Sequence, residues 1–410
     1  MNIRAGETSM QRFTQLTLVG LASAVGALPA MPGAAQSEKV LHSFLNHPGD
    51  GSSPIGQMLT NKGVLYGTTN TGGEHQKGVV FRLEKVKGVW NETILYSFAD
   101  KGDGAYPAAG LIMDSAGVLY GTTASGGIAE GGVAFSLTRS GNGWVEEVLH
   151  NFTGGVADGA HPAADLRRDQ TSGILYGTTY EGGTSNCGVV YQLALSGGMW
   201  TETVLYNLGA SAGCNSQAAL KEDSSGNLYG VTSSGGQYGY GTAYMLTPSN
   251  GAWSETVLHD FAGGTDGANG SAIDISPAGI LFGTTNAGGS AGAGVVFELI
   301  NSGGSWSETV LHDFAGTPDG ATPCGMHFDS STGALYGTTQ GGGTSNRGSV
   351  FQLVPTGNTW SESVIHSFTG TPDGDRPEAG LALDEKTGAL YGTTAEGGTA
   401  NAGVVFSVVP

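Results

Sequence analysis

From about residue 40 onward, apolar residues come in short runs of four to eight, broken by glycine and aspartate. Runs of this length, rich in Val, Leu, Tyr, Phe and Trp, read as strands separated by turns. One unit shows the grammar. A first strand over 109–113 meets an Asp-containing turn at 114–117, then a second strand over 118–123. A Gly-Gly loop leads to a third strand over 132–137, and the fourth covers 144–152. The pattern then recurs. Tyr-Gly-Thr-Thr begins at Tyr66, Tyr120, Tyr176, Tyr336 and Tyr391, with near copies at Tyr229 and Phe282, spaced by 54, 56, 53, 53, 54 and 55 residues. A unit of about 50 residues with four strands is a propeller blade rather than a solenoid coil.

The chain ends support closure. The last repeat stops after its third strand (403–408), while an orphan fourth strand (38–44) precedes the first repeat. Joined, they complete a blade and cover two open edges. The expected fold is all-β: a seven-bladed β-propeller of four-stranded blades over residues 36–410, a single domain whose last blade is closed by the N-terminal strand.

Composition narrows this further. Glycine supplies 73 of 410 residues, and interior glycine costs a helix about 1 kcal/mol against alanine. No Gly-X-Y period exists, so collagen is excluded. With 16 Lys+Arg against 35 Asp+Glu, the net charge is -19, which disfavours nucleic acid and anionic membrane surfaces. The first 35 residues stand apart. Arg12 precedes an apolar stretch at 16–28, followed by small residues up to Ala35. This predicts a secretory signal peptide over 1–35, with Met1 or Met10 as the start. About 13 apolar residues are too few for a span that needs roughly 20. No membrane span is expected after cleavage, and the protein is expected to be secreted or periplasmic.

The repeat resembles the Gloeo/Verruco (GloVer) tandem repeat of "choice-of-anchor" exported bacterial proteins. The resemblance rests on Leu335-Tyr336-Gly337-Thr338-Thr339 with Gly341-Gly342, on Gly348-Ser349-Val350-Phe351, and on Trp306-Ser307-Glu308-Thr309-Val310-Leu311. It covers essentially the whole mature chain. It implies an exported repeat protein and no particular activity. Similar proteins often carry a C-terminal anchor; here the sequence stops with the last strand, which suggests a periplasmic or released form.

Residues that recur in most blades are explained first by the blade. All six Trp (Trp90, Trp144, Trp200, Trp253, Trp306, Trp360) stand two before a Glu, which reads as packing on the outer strand. His42, His150, His259, His312 and His366 share another position and read as structural. Asp114, Asp169, Asp223, Asp329 and Asp384 read as Asx turns. Asp-Gly precedes the first strand at Asp50, Asp103, Asp158, Asp266, Asp319 and Asp373. A ring of carboxylates suits Ca²⁺, yet no loop has a closely spaced acidic series. No metal or cofactor is therefore expected, with Ca²⁺ kept as the alternative.

Departures from the repeat are the candidate chemistry. One position of the innermost strand reads Leu59, Ile112, Arg167, Lys221, Asp274, His327 and Ala382: polar in four successive blades. Drift in a wet channel would also produce this. The Gly-Gly loops of repeats three and four add Tyr180, Glu181, Tyr238 and Tyr240. The expected binding set is Tyr180, Glu181, Tyr238, Tyr240, His161, Arg167 and Lys221, with tyrosine faces offered to sugar rings. Cys187 and Cys214 fall on one face of adjacent blades, so a disulfide is expected, leaving Cys324 free. No nucleophile elbow, zinc-protease motif or phosphate loop occurs.

The leading reading is a monomeric secreted recognition module whose loop face binds an extracellular glycan or protein. A polysaccharide lyase or hydrolase using Arg167, Lys221, Glu222, His161 or His327 in the channel remains open, as does a structural surface protein. Fold alone does not choose between them.

Overall fold

The computed structural model describes residues 38–410; the signal peptide expected over 1–35 lies outside them. The described residues form seven four-stranded antiparallel sheets. Blade 1 is built from Leu59–Asn61, Val64–Thr69, Val79–Val86 and Val89–Ser97, from the axis outward. Blades 2 to 6 repeat this order, and their outer strands are Gly143–Asn151, Met199–Asn207, Ala252–Asp260, Ser305–Asp313 and Thr359–Ser367. No α-helix forms among the described residues; a 3₁₀ turn at Gly264–Asp266 is the nearest approach.

Blade 7 takes three strands from the C-terminal end (Ala382–Asp384, Ala389–Thr394, Val404–Val408) and its outer strand, Lys39–Ser43, from the N-terminal end. Lys39 opposes Ser407 and Ser43 opposes Val404. Phe44, the next residue, is fully buried and packs edge-on against Phe81 of blade 1 at 5.2 Å.

Each letter of the Tyr-Gly-Thr-Thr motif has a physical cause. In all seven blades its glycine lies opposite an aromatic residue of the third strand, from Gly67 opposite Phe81 to Gly392 opposite Phe406. A Cβ on Gly67 would stand 2.7 Å from Phe81 Cζ, so the ring lies flat only over glycine. The first threonine ties blades together: Thr68 Oγ1 donates to Ala109 O, and Thr338 Oγ1 to Ala379 O, both at 2.7 Å. The second threonine braces its own loop. Thr179 Oγ1 accepts Val189 N–H at 3.0 Å and donates to Glu181 O at 2.8 Å. The tyrosine meets the tryptophan of the following blade edge-on, as Tyr120 meets Trp200 at 6.0 Å and 69°. Such aromatic pairs contribute about 0.5–1.5 kcal/mol each beyond area burial.

The hydrophobic clusters accordingly lie between blades. One joins Val231 and Ala243 of blade 4 to Phe297 and Leu299 of blade 5. A second inter-blade layer is polar. At five seams the histidine ending one outer strand bonds the Asp of the next lead-in loop, at 3.5, 3.2, 2.7, 3.1 and 3.2 Å from His42–Asp50 to His366–Asp373. The same carboxylates accept backbone N–H groups four or five residues upstream, such as Leu45 N–H on Asp50 at 2.8 Å. Those bonds hold the loop turn.

One loop position, just before the glycine that opens the third strand, fastens four of the blades to the next lead-in loop by side chains of differing chemistry. Lys77 bonds Asp100 at 2.7 Å, Arg347 bonds Asp375, and Tyr240 lies over Gly263. Cys187 is disulfide-bonded to Cys214. The disulfide closes a separation of 27 residues, for which chain-entropy arguments give about 3.5 kcal/mol. Cys187→Ser/Cys214→Ser is expected to lower unfolding free energy by that order in urea titrations. A wild-type midpoint that does not respond to reductant would contradict this.

Candidate binding site in the central channel

The lead-in loops pair with the loops between second and third strands, as Gly159–Ala160 does with Glu181–Gly182. These segments share one face of the ring. The hairpins between first and second strands therefore open on the opposite face. Arg167 opposes Tyr176, beside the hairpin at Asp169. Tyr180 lies four residues further along the chain, about 13 Å at strand rise.

This geometry divides the sequence-expected set. Tyr180, Glu181, Tyr238, Tyr240 and His161 belong to the loop face, whereas Arg167 and Lys221 sit at the hairpin end of the channel. The structure does not place the polar sector beside the loop tyrosines; the innermost strand runs the depth of the ring between them. On the loop face, His161 donates Nδ1–H to Ala124 O at 2.8 Å and its Nε2 lies 3.9 Å from Glu181. Tyr238 is 52% exposed and Tyr240 47%, the latter with one ring face on Gly263. Tyr180 is half-buried, and its carbonyl accepts from Asn215 Nδ2 at 2.9 Å.

At the hairpin end, charges from successive blades interlock. Arg167 Nη2 reaches Glu222 Oε2 at 3.2 Å, and Lys221 Nζ reaches Asp274 Oδ1 at 3.1 Å. His327 Nδ1 stands 3.7 Å from Asp274 Oδ2. Asp274 is buried, and it also accepts Phe328 N–H at 3.0 Å and its neighbour's N–H at 2.9 Å. Burial pushes the His327 imidazole below its ordinary value despite the pull of Asp274. Burial also raises the Glu222 carboxyl, against the attraction of Arg167. Deeper in the channel, burial raises Asp165, which accepts Gly110 N–H at 2.5 Å.

Lys221, Glu222, Asp274 and His327 floor an open depression of about 670 Å³, walled by the hairpins of blades 4 to 6. The opposite channel wall at this level carries Leu59 and Ile112 beside Arg167. At this level Leu59, Ile112 and Ala382 are apolar, whereas Arg167, Lys221, Asp274 and His327 with Glu222 supply interleaved donors and acceptors. The channel's loop-face mouth is different: Gln217, Ser271, Cys324 and Glu378 line it. Cys324 is the free cysteine, and burial pushes its thiol up to about 12, which makes it a poor nucleophile.

A closed ring of seven four-stranded blades with a polar-sectored bore defines the protein as a seven-bladed β-propeller. Within that class the chain belongs to the Gloeobacter/Verrucomicrobia repeat family, which matches residues 12–221 and 169–406. A candidate 6-phosphogluconolactonase from Bacteroides uniformis superposes with a TM-score of 0.55 at 14% identity, covering 80% of this chain and 88% of that one. The extracellular domain of a candidate one component system from B. thetaiotaomicron gives 0.55 at 10% identity. That likeness covers 91% of this chain and 42% of the other. A protein from Lactobacillus plantarum gives 0.52 at 16% identity, covering 85% and 99%. At such identities the likeness is one of fold. No curated protein matches the sequence. No helix among the described residues is long and apolar enough to cross a membrane.

Proposed function

We propose that this is an exported recognition propeller that binds a hydroxyl-rich, neutral ligand, an extracellular glycan, at the hairpin end of its channel. The observation that supports it is the interlocked sector of Arg167, Lys221, Glu222, Asp274 and His327. Donors and acceptors alternate there over four blades with nearly balanced charge, a pattern suited to sugar hydroxyls rather than to a polyanion. Apolar Leu59 and Ile112 opposite would receive the non-polar side of a ring. Export is part of the proposal, and rests on the apolar stretch at 16–28 and the small residues that follow it. On the loop face, Tyr240 serves as an inter-blade fastening, so Tyr238 is the more open aromatic there.

A glycan array on the purified protein, followed by titration of Arg167→Ala, Lys221→Ala and Tyr238→Ala, tests the reading. The two channel variants are expected to weaken binding at least tenfold, about 1.4 kcal/mol, with Tyr238→Ala unchanged. Loss confined to Tyr238→Ala would move the site to the loop face. Reducing ends or unsaturated uronates released during incubation would replace binding by catalysis.

A further inference from the structure

The five polar seams contain a third side chain. The Glu two residues after the outer-strand tryptophan reaches across to the His–Asp pair of the preceding seam. In the seam between blades 4 and 5 the group is His259, Asp266 and Glu308, with one donor atom of each within 4.8 Å of the others. The same trio recurs at the seams 7–1, 2–3, 5–6 and 6–7, where Glu38 completes the last. Three residue sets that the sequence presents separately thus converge on one point, five times around the ring.

The carboxylate at each point is incompletely satisfied. Oε1 of each of these Glu is shut off from water and has no hydrogen-bond partner, as is Oε1 of Glu146 and Glu255 at the two seams without histidine, so it is the added His and Asp donors that set the five apart. Asp266, by contrast, accepts Ala262 N–H at 2.6 Å and bonds His259 at 2.7 Å.

We propose that these five seams are binding sites for a zinc-type divalent cation, each held by one His nitrogen and two carboxylate oxygens. His Nε2 and Asp Oδ lie 2.7–3.5 Å apart across the five, which brackets the roughly 3.3 Å expected between neighbouring ligands of a tetrahedral zinc with 2.0–2.1 Å bonds. A nitrogen donor and only three protein ligands disfavour Ca²⁺, which takes six to eight oxygens. The His side chains keep about a fifth of their surface exposed, so solvent can complete the shell. Nothing here depends on the channel ligand, since the seams lie at the outer strands.

The molecule contains its own controls. At seam 1–2 the histidine is replaced by Tyr96, whose hydroxyl donates to Asp103 at 2.9 Å. At seam 3–4 Tyr206 replaces the histidine and Ala212 stands where the others have Asp; the Cys187–Cys214 bond fastens that seam instead. Neither should take metal.

The test is zinc content of the untagged full-length protein, stripped with chelator, loaded with Zn²⁺ and passed through a desalting column. About five equivalents are expected. Glu308→Gln and His366→Gln should each remove one and the double variant two. Cobalt loading should give the intense visible absorption of tetrahedral Co²⁺, lost in proportion. Less than one bound equivalent in the parent overturns the proposal. A zinc count unchanged in both single variants overturns it equally.

Discussion

Deleting residues 36–44 is expected to yield a protein that aggregates, or that melts more than ~10 °C below the intact chain. The deletion strips blade 7 of its outer strand, Lys39–Ser43, and exposes the ladder edge of Val404–Val408. It also empties the pocket of Phe44, which is fully buried against Phe81 and bonded through its N–H to Gly403 O at 3.0 Å. Loss of a buried phenylalanine alone costs about 3–5 kcal/mol. An exposed, flat, apolar edge is in addition a template for pairing with another chain. Differential scanning calorimetry with light scattering measures both effects. Melting within two degrees of the parent would mean that the ring does not depend on its closing strand.

Gly337→Ala is expected to destabilise the protein by about 3 kcal/mol, a large effect for one methyl group. The added Cβ would stand 2.5 Å from Gly325 O, with the ring edge of Phe351 closer still. Gly325 lies on the neighbouring strand of the same sheet, so relief requires backbone movement. The clash with the ring has a separate signature. Replacing Phe351 by Leu in the Gly337→Ala background should recover part of the loss, giving a coupling of 0.5 kcal/mol or more in a double-mutant cycle. Chemical denaturation of the four proteins supplies the numbers. Additive losses would show that the aromatic–glycine pairing does not explain the motif.

The blades were legible because repetition supplies the same information seven times. A single strand of five residues is ambiguous, but Tyr-Gly-Thr-Thr at nearly constant spacing is not. The closing strand was legible for a related reason: Glu38 to Phe44 reads as a fourth strand without the three that should precede it. Cys187 and Cys214 could be paired on paper because their loops share a face. What stayed hidden was contact between blades. His259, Asp266 and Glu308 occupy three different repeat positions, and the Glu comes 42 residues after the Asp. Nothing in a linear pattern says that an outer strand leans on the loop of the preceding seam. Cys187 and Tyr240 were visible as irregularities, yet the fastening job they share with Lys77 and Arg347 appears only when the next lead-in loop is in place. The channel sector shows the other boundary of the method. Its register was readable from Arg167 to His327, but its face was not, because depth along the innermost strand decides which mouth a side chain serves.

The union of Lys39–Ser43 with Val404–Val408 also fixes an order of events in time. Six blades are built from strands near one another in the chain, so each can form as soon as its own fifty or so residues are available. The seventh joins residues about 360 apart. Closing a loop of that length rather than one of fifty costs roughly three further doublings, about 1.7 kcal/mol of chain entropy. Ring closure is thereby the natural last step of folding, and the slow one, since distant pairings are reached late. Until then an unfinished arc of blades presents two raw edges at once. During that interval, the acidic surface with its net charge of -19 keeps one arc away from the next.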